Sequence, residues 1–322
     1  MEKPEKPLII LGPTATGKTA LAIELAIRRG GEIISLDSMQ IYRGMDIGTA
    51  KPTEIDQQAV PHHCIDCQPI TEASDVAQIL TRVYAARKDI EKRGNISILV
   101  GGTALYIKNL VDGLFNGPPA APALREELLA LADEKGSEYL HASLLVPIDP
   151  EAAAKIHPHD IRRVIRAIEV YRLTRTRISD QQGQWTREDS EYEYEMIGLT
   201  LPREMLYTRI EERVDAMVAA GLVEEVQRLK EAGIEQNRTA SQAIGYKEIL
   251  AYLAGEYNQD RAVELIKRNT RRFAKHQLTW FRKDTRIRWI DVSTCSSTAE
   301  AADRVEEMIR DGLAGVSPPA RK

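Results

Sequence analysis

The residues best suited to chemistry lie within the first 20 positions, directly after a short apolar run. They read Gly12-Pro13-Thr14-Ala15-Thr16-Gly17-Lys18-Thr19. This is the G-x-x-x-x-G-K-T phosphate loop, whose backbone N–H groups surround phosphates. Its lysine reaches the outer phosphates, and its last hydroxyl ligates Mg²⁺. The segment predicts a polyphosphate site with Lys18 and Thr19 in these roles, and it leaves open which polyphosphate is bound.

Two further polar segments follow apolar runs that we predict to be buried strands. Asp37-Ser38-Met39-Gln40 follows Glu32–Leu36, and Gly101-Gly102-Thr103 follows Ile96–Val100. Because ligands on parallel sheets bind beyond the carboxyl ends of the strands, we expect both segments to converge with the phosphate loop on one crevice. Asp37 then serves either as a base toward a nucleophile or as a helix N-cap or outer-shell Mg²⁺ ligand, and position alone does not decide.

These segments need a sheet to position them, and the hydrophobic pattern predicts one. Strands alternate with helices over the first hundred residues, which is typical of an α/β, P-loop NTPase-like parallel sheet flanked by helices. Later strands are expected at Met196–Leu201 and Arg288–Val292, with a closing helix over Ala301–Leu313 and a disordered tail from Gly315. The break at Asn116–Pro122 predicts a mostly α-helical insertion over 117–192, so the core is 1–116 and 193–322.

Composition narrows the class of protein. The 322 residues carry a formal net charge of −4 and are 43% hydrophobic, so any nucleic-acid surface must be local. Three cysteines are too few for a disulfide scaffold, and neither a signal peptide nor a membrane-length apolar run is present. We expect a cytoplasmic protein without membrane contact, and a monomer.

Two segments are locally basic. Arginines cluster between Asp160 and Arg177, and a second cluster lies between Arg261 and Arg288. In the second, Val263, Ile266, Phe273 and Trp280 are expected to form the buried apolar stripe. One basic helix is usually a solvated face, but two in an acidic chain favour contact with phosphate or nucleic acid.

Two other groups of residues could bind a ligand, but for each of them a structural role is the commoner one. Cys64 and Cys67, beside His62 and His63, have the C-x-x-C spacing of one half of a zinc site. No second pair follows, so we expect no structural zinc. A further group of aromatic residues could stack on bases, although packing at a hinge is the commoner role. These are Trp185, Tyr192 and Tyr194.

At this point the chain resembles the tRNA dimethylallyltransferases, and the similarity covers nearly its whole length. The residues that carry it begin with the phosphate loop and the highly specific segment Asp37–Lys51. They continue with Pro61-His62-His63, Gly101–Tyr106, His157–Asp160 with Arg162-Arg163, Gln242–Glu248 and Gln277–Lys283. The resemblance implies transfer of a dimethylallyl group from dimethylallyl diphosphate to N6 of adenosine 37, in tRNAs that read codons beginning with U.

The resemblance also implies roles for individual residues. Asp37 would deprotonate N6, Thr103 would contact the nucleotide near the transferred group, and Gln40 would recognise the adenine. Residues Gly12 to Thr19 would hold the diphosphate with Mg²⁺, and either Arg209 or Arg213 would assist them. The residues implied to contact the anticodon stem-loop are Asp37, Ser38, Met39, Gln40, Thr103, Arg125, Ile161, Arg162, Arg163, Val164 and Ile165.

Three alternatives remain. A small-molecule P-loop kinase would bind ATP, as such loops commonly do, but the chain lacks the usual Asp at the end of the strand before Gly101. An adenylate isopentenyltransferase would use the same chemistry on free AMP or ADP without needing two basic helices. A non-catalytic RNA-binding module would not need Asp37.

Overall fold

The computed structural model describes residues 6–113, 117–182 and 193–311. The predicted roles of Trp185 and Tyr192 and the predicted tail from Gly315 lie outside these residues. Contacts divide the chain into two compact units, 1–108 with 192–322 and 109–191. The predicted division lay at 116/117 and 192/193.

The first unit is built on a parallel sheet of six described strands, which confirms the predicted α/β class. The strands are β1 (Leu8–Leu11), β2 (Gly31–Ser35), β3 (His62–His63), β4 (Ile96–Gly101), β5 (Glu195–Thr200) and β6 (Arg288–Asp291). Their order is β3-β2-β4-β1-β5-β6, with every pair parallel. β1 is central and fully buried, which explains its unbroken apolar run. The edge strand β3 was not predicted, because two half-buried histidines carry no strand pattern.

The described helices belong to both units. In chain order they are α1 (Lys18–Arg29), α2 (Glu54–Ala59), α3 (Val76–Lys92), α4 (Ala104–Asp112), α5 (Pro122–Lys135), α6 (Ser137–Tyr139), α7 (Val146–Ile148), α8 (Pro150–Lys155), α9 (Ile161–Thr174), α10 (Ile178–Gln182), α11 (Arg203–Ala219), α12 (Leu222–Glu231), α13 (Arg238–Ser241), α14 (Tyr246–Leu253), α15 (Gln259–Phe281) and α16 (Thr298–Asp311). A π-helical turn, Leu140–Leu145, joins α6 to α7.

The core beneath the site is the layer between α1, the sheet and α16. Leu21 and Leu25 of α1 are buried against strand residues such as Leu8 and Ile98, and Val305 of α16 joins the same cluster. α1 begins after Gly17, at φ +88°, and ends at Gly30, whose N–H caps the Ala26 carbonyl. The direction of α1, and with it the phosphate loop, is therefore fixed by hydrophobic packing on the sheet.

The unit 109–191 has its own core. Leu128, Leu140 and Val164 are fully buried in it, and Glu169 lies buried beside them. The Glu169 carboxylate accepts hydrogen bonds from Arg125, from Arg166 and from the Ala121 N–H. Burial by itself raises the pKa of Glu169, but these donors outweigh burial and bring it to about 2. The buried charge is thus compensated within the unit.

One predicted helix face is wrong in detail. Ile266 of α15 is buried, as expected, but Phe273 and Trp280 are 43% and 42% exposed. Two basic residues of α15 pair with carboxylates of α11, Lys267 with Asp215 and Arg271 with Glu211. The buried positions of α15 instead include the small Ala274 and the polar Gln277, together with Ile266, Leu278 and Phe281. Among the residues that the structure describes, none of the helices is both long and apolar enough to cross a membrane.

Candidate active site

The phosphate loop follows β1 and is shaped by its own backbone. Gly12 adopts φ +144°, and a Cβ there would lie 2.6 Å from the Leu199 carbonyl oxygen of the neighbouring strand. Two side chains of the loop fold back on it, since the Thr16 hydroxyl and the Lys18 ammonium both donate to the Pro13 carbonyl oxygen, at 2.9 and 2.7 Å. The loop therefore keeps a defined backbone turn at the N-terminus of α1, a position that suits an anion.

Cations converge on this loop. Burial, reinforced by the charge of Arg213, lowers the pKa of Lys18 to about 7. The pKa of Arg213 is also lowered by burial, an effect that the Asp37 carboxylate opposes. Of the two arginines left open by the sequence, Arg213 lines the cavity and Arg209 is exposed. The structure thus brings Arg213, and not Arg209, together with the phosphate loop.

Asp37 lies at the carboxyl end of β2, and its two oxygens differ in their surroundings. Oδ1 accepts hydrogen bonds from the N–H groups of Met39 and Gln40, at 2.8 and 3.3 Å. Oδ2 makes no hydrogen bond to the described residues. The capping role and the role of a base are therefore compatible, because one oxygen holds the carboxylate in place and the other is left for a proton.

Thr103 follows β4 and lies against the same turn. Its Oγ1 accepts from the Ser38 N–H at 3.2 Å. Gln40, which follows Met39 in this turn, is 9% exposed, and its amide bonds other groups of the protein. Its Oε1 accepts from the Ser35 hydroxyl, and its Nε2 donates to the carbonyls of Thr49 and Ala50. Gln40 therefore supports the segment 49–50 from within the protein while it lines the cavity.

These groups enclose a cavity of about 410 Å³. Its polar lining includes Lys18, Thr19, Asp37, Gln40, Thr103 and Arg213. Its apolar lining includes Ile210, Val214, Met217, Ile244, Ile266 and Phe273. A cavity of this size, cationic at one place and apolar at another, suits a ligand with a diphosphate and a short hydrocarbon group.

Three residues important to the site were missed as functional residues in the sequence. Gln277 bonds the phosphate loop, and Glu225 with Tyr246 holds the segment 46–48. Gln277 and Tyr246 lie within motifs that carry the family resemblance, which was the one available signal. Glu225 lies in none of them, and its role depends on partners distant in sequence.

The predicted tRNA-binding residues of the unit 109–191 have different surroundings. Arg162 and Arg163, at the start of α9, are exposed, and Ile161 is half-buried. Val164 and Ile165 are buried in the core of the unit, so their side chains do not face solvent. The guanidinium of Arg125 is held by Glu169 at 2.7 Å, although its side chain is 42% exposed.

The residues that suggested zinc have other partners. His63 bonds the Glu32 carboxylate at 2.7 Å, and His62 Nδ1 lies 2.8 Å from the Val60 carbonyl oxygen. Burial raises the pKa of the Cys64 thiol to about 12, which opposes the thiolate that zinc requires. Among the described residues, no group of three or more His, Cys, Asp or Glu is arranged to hold a metal ion.

Tyr194, one of the aromatic residues predicted to pack or to stack on bases, has a defined partner. The Arg87 guanidinium donates to the Tyr194 hydroxyl at 3.0 Å and lies over its ring, 5.3 Å from the centroid. Tyr194 thus packs against α3 within the first unit.

Comparisons with known proteins agree with this geometry. A family model described as IPP transferase matches residues 40–284. A tRNA dimethylallyltransferase from Geobacter metallireducens is 48% identical over 290 residues, which cover 90% of this chain and 94% of the relative. One from Carboxydothermus hydrogenoformans is 48% identical over 306 residues, or 95% of this chain and 96% of the relative.

Solved structures give the same result. A tRNA isopentenylpyrophosphate transferase from Bacillus halodurans superposes with a TM-score of 0.69 at 42% identity, covering 95% of this chain and 97% of that one. A eukaryotic dimethylallyltransferase acting on tRNA superposes with a TM-score of 0.78 at 27% identity, covering 98% of this chain and 82% of that one.

Proposed function

The chain belongs to the IPP transferase family and is a tRNA-modifying prenyltransferase, and on that premise we propose that it transfers a dimethylallyl group from dimethylallyl diphosphate to N6 of adenosine 37. The tRNAs proposed as substrates read codons that begin with U, and the product is i⁶A37. The observation that carries the proposal is the placement of a carboxylate, two cations and an apolar wall around one cavity.

The acceptor needs a base, because the exocyclic N6 lone pair is delocalised into the adenine ring. Asp37 Oδ2 is the group we assign to this role, since Oδ1 is already bound to the turn at Met39 and Gln40. N6 attacks the first carbon of the donor, the carbon–oxygen bond to the diphosphate breaks, and the N6 proton passes to Oδ2. Thr103, fixed to Ser38, lies beside this path.

The donor's diphosphate departs with its negative charge growing, and the phosphate loop is suited to stabilise that charge. Lys18 and Arg213 supply positive charge, and amides from Ala15 to Thr19 surround the anion. Because attack falls on carbon, no phosphoryl group is transferred and no water needs to be activated. This assignment accounts for the absence of the usual acidic residue after β4, where the sequence has Gly101-Gly102-Thr103.

Mg²⁺ is the cofactor we propose for the diphosphate. The Thr19 hydroxyl lines the cavity and makes no hydrogen bond to the described residues, so its oxygen fits a Mg²⁺ ligand. When bound, the ion would neutralise part of the leaving group's charge. Lys18 and Arg213 would act on the same charge from the protein side.

The target base must leave the anticodon stack to reach the cavity, which costs a few kcal/mol. We propose that contacts to the RNA backbone offset this cost. In the unit 109–191, Arg162 and Arg163 are the exposed cations at the start of α9 that would make them. The buried Val164 and Ile165 would support that helix end instead of touching RNA.

A transfer assay tests the proposal. The protein is mixed with Mg²⁺, labelled dimethylallyl diphosphate and unmodified tRNA, and the label is mapped by nuclease digestion and mass spectrometry. We expect label on N6 of adenosine 37. Parallel mixtures with free AMP, and with ATP alone, separate the alternatives, since label in AMP supports an adenylate isopentenyltransferase and ATP consumption without transfer supports a kinase.

A further inference from the structure

We propose that Gln277 is a positioning residue that binds the phosphate loop to the end of strand β4, and that it thereby sets the separation of donor and acceptor. The proposal rests on the transfer reaction proposed above and assigns part of its geometry to a residue outside the phosphate loop. Gln277 belongs to α15 and is 263 and 175 residues from its two partners in sequence.

The hydrogen bonds of Gln277 run in opposite directions. The Thr14 N–H of the phosphate loop donates to Oε1 at 2.9 Å, and Nε2 donates to the Gly102 carbonyl oxygen at 2.9 Å. The Gln277 side chain is 6% exposed, so its amide is largely shielded from water. A carboxylate accepts only and an ammonium donates only, so this bridge requires an uncharged group that both donates and accepts, as the Gln277 amide does.

The glycine that follows β4 makes room for this bridge. A Cβ on Gly102 would lie 2.3 Å from Gln277 Nε2, and one on Gly101 would lie 2.6 Å from the Leu36 carbonyl oxygen. The Gly101-Gly102 pair thus lets α15 and β2 approach the strand end closely. Thr103 comes next in the chain, so the bridge ends one residue before the acceptor side of the cavity.

The consequence for the reaction is geometric. The Thr14 N–H is directed at Gln277, so the bridge fixes the first turn of the loop instead of contacting the anion. The same amide holds the strand end that carries Thr103, which bonds Ser38 beside Asp37. Reacting atoms must come within about 3–3.5 Å, and a misplacement of about 1 Å costs about 100-fold in rate.

The test uses the full-length protein and the variants Q277E and Q277M. A protonated glutamate carries both a carbonyl and an O–H, so it can restore both hydrogen bonds, whereas its carboxylate cannot. Single-turnover transfer to tRNA by Q277E should be about 10- to 100-fold below wild type at pH 8. The ratio to wild type should recover several-fold by pH 6. Q277M, which is neutral and similar in length, should be slow at both pH values.

Gln57, whose Nε2 donates to the Pro52 carbonyl oxygen at 2.9 Å, provides the matched control. Q57E should keep wild-type rates at both pH values. Circular dichroism checks that each variant folds. A pH-independent ratio for Q277E overturns the proposal, and so does a wild-type rate for Q277M, which would mean that charge alone explains the pH effect.

Binding of inorganic pyrophosphate, measured by calorimetry, separates this proposal from the proposed function. If wild type transfers no group to tRNA, the proposed function fails, and the bridge is then judged on pyrophosphate alone. Weaker pyrophosphate binding by Q277M than by wild type would support the bridge even then. Equal binding by the two proteins would overturn it in that case.

Discussion

The two sides of the cavity are held in shape by different means. The donor side, residues 12–19, takes its form mainly from its own consecutive residues, with Lys18 and Thr16 bonded to the Pro13 carbonyl and a single distant bond from the Thr14 N–H to Gln277. The acceptor wall, which we define as residues 46–50, takes its form from a distant carboxylate, since Glu225 is 178 residues from Ile47. A local motif can be recognised in the sequence, whereas a wall that is stabilised by distant residues cannot.

The acceptor wall depends on one buried carboxylate. Glu225 is 2% exposed and accepts from the N–H groups of Asp46, Ile47 and Gly48 and from the Tyr246 hydroxyl. The Tyr246 ring lies so close to Gly48 that a Cβ there would be 2.5 Å from it. The wall continues to residues 49–50, whose carbonyls bind Gln40, so Glu225 is connected through hydrogen bonds to the turn at Asp37.

The largest effect is expected where the two sides meet, at Asp37. Asp37→Asn keeps an oxygen to cap the turn but lacks a carboxylate to take the N6 proton. Turnover should fall by about 100-fold or more, with donor affinity unchanged. Rapid-quench kinetics and donor titration measure the two quantities. Asp37→Ala, which also loses the cap, should in addition lower stability by about 1 kcal/mol. Near-normal turnover of Asp37→Asn would remove Asp37 as the base.

Lys18 tests the donor side alone. Lys18→Met should lower kcat/KM for the donor by about 100-fold, because a charge that stabilises the leaving group is lost. The free variant should nevertheless be more stable than wild type at pH 7, by about 1–3 kcal/mol. Calorimetric melting and donor kinetics check both effects. Reduced stability together with normal kinetics would contradict this assignment.

The sign of the stability effect follows from the lowered pKa of Lys18. Its pKa is about 7 in the folded protein, against 10.5 for a lysine in water. Between these values the unfolded chain binds more protons, so wild-type stability rises with pH from about 7 to 10.5. Below pH 7 the free-energy cost of burying the charged Lys18 is fully present. Lys18→Met should therefore show a flatter dependence of melting temperature on pH across this window.

Glu225 tests the acceptor wall, and a smaller effect is expected. Glu225→Gln keeps the shape but replaces one acceptor oxygen with a donor that faces N–H groups or the Tyr246 hydroxyl. We expect about a 10-fold loss in kcat/KM for tRNA, a stability loss of about 2 kcal/mol and unchanged donor affinity. Tyr246→Phe should lose about 1 kcal/mol. Tyr257→Phe, which loses one bond to the Glu248 carbonyl, is the control. A change in donor affinity would show that the two sides are not separable.

Sequence prediction succeeded where the signal was local or periodic. The apolar runs gave β1, β4 and β5, and the convergence of the phosphate loop, Asp37 and Thr103 followed from the rule for parallel strands. Prediction failed for the buried face of α15, because periodicity identifies an apolar stripe but not the elements that pack against it. In the structure Phe273 is exposed and Gln277 is buried. Choosing Arg213 over Arg209 also required the rotation of α11, which the spacing of two arginines does not give.

The smallest effect is expected in the unit 109–191, which supplies none of the described residues that line the cavity. Replacing both Arg162 and Arg163 with alanine should weaken tRNA binding several-fold at moderate salt. The slope of log K against log salt should fall by up to about 2, because each phosphate contact contributes about 0.9. Donor affinity and the single-turnover rate at saturating tRNA should stay at wild-type values, since neither arginine belongs to the cavity. Filter binding over a salt series measures the slope.

Arg172→Ala, which removes an exposed arginine of the same helix that pairs with Glu127, is the control for loss of charge alone. An equal decrease in slope for that control would mean that tRNA responds to the net charge of the helix, and an unchanged slope in the double variant would place both arginines outside the RNA contact.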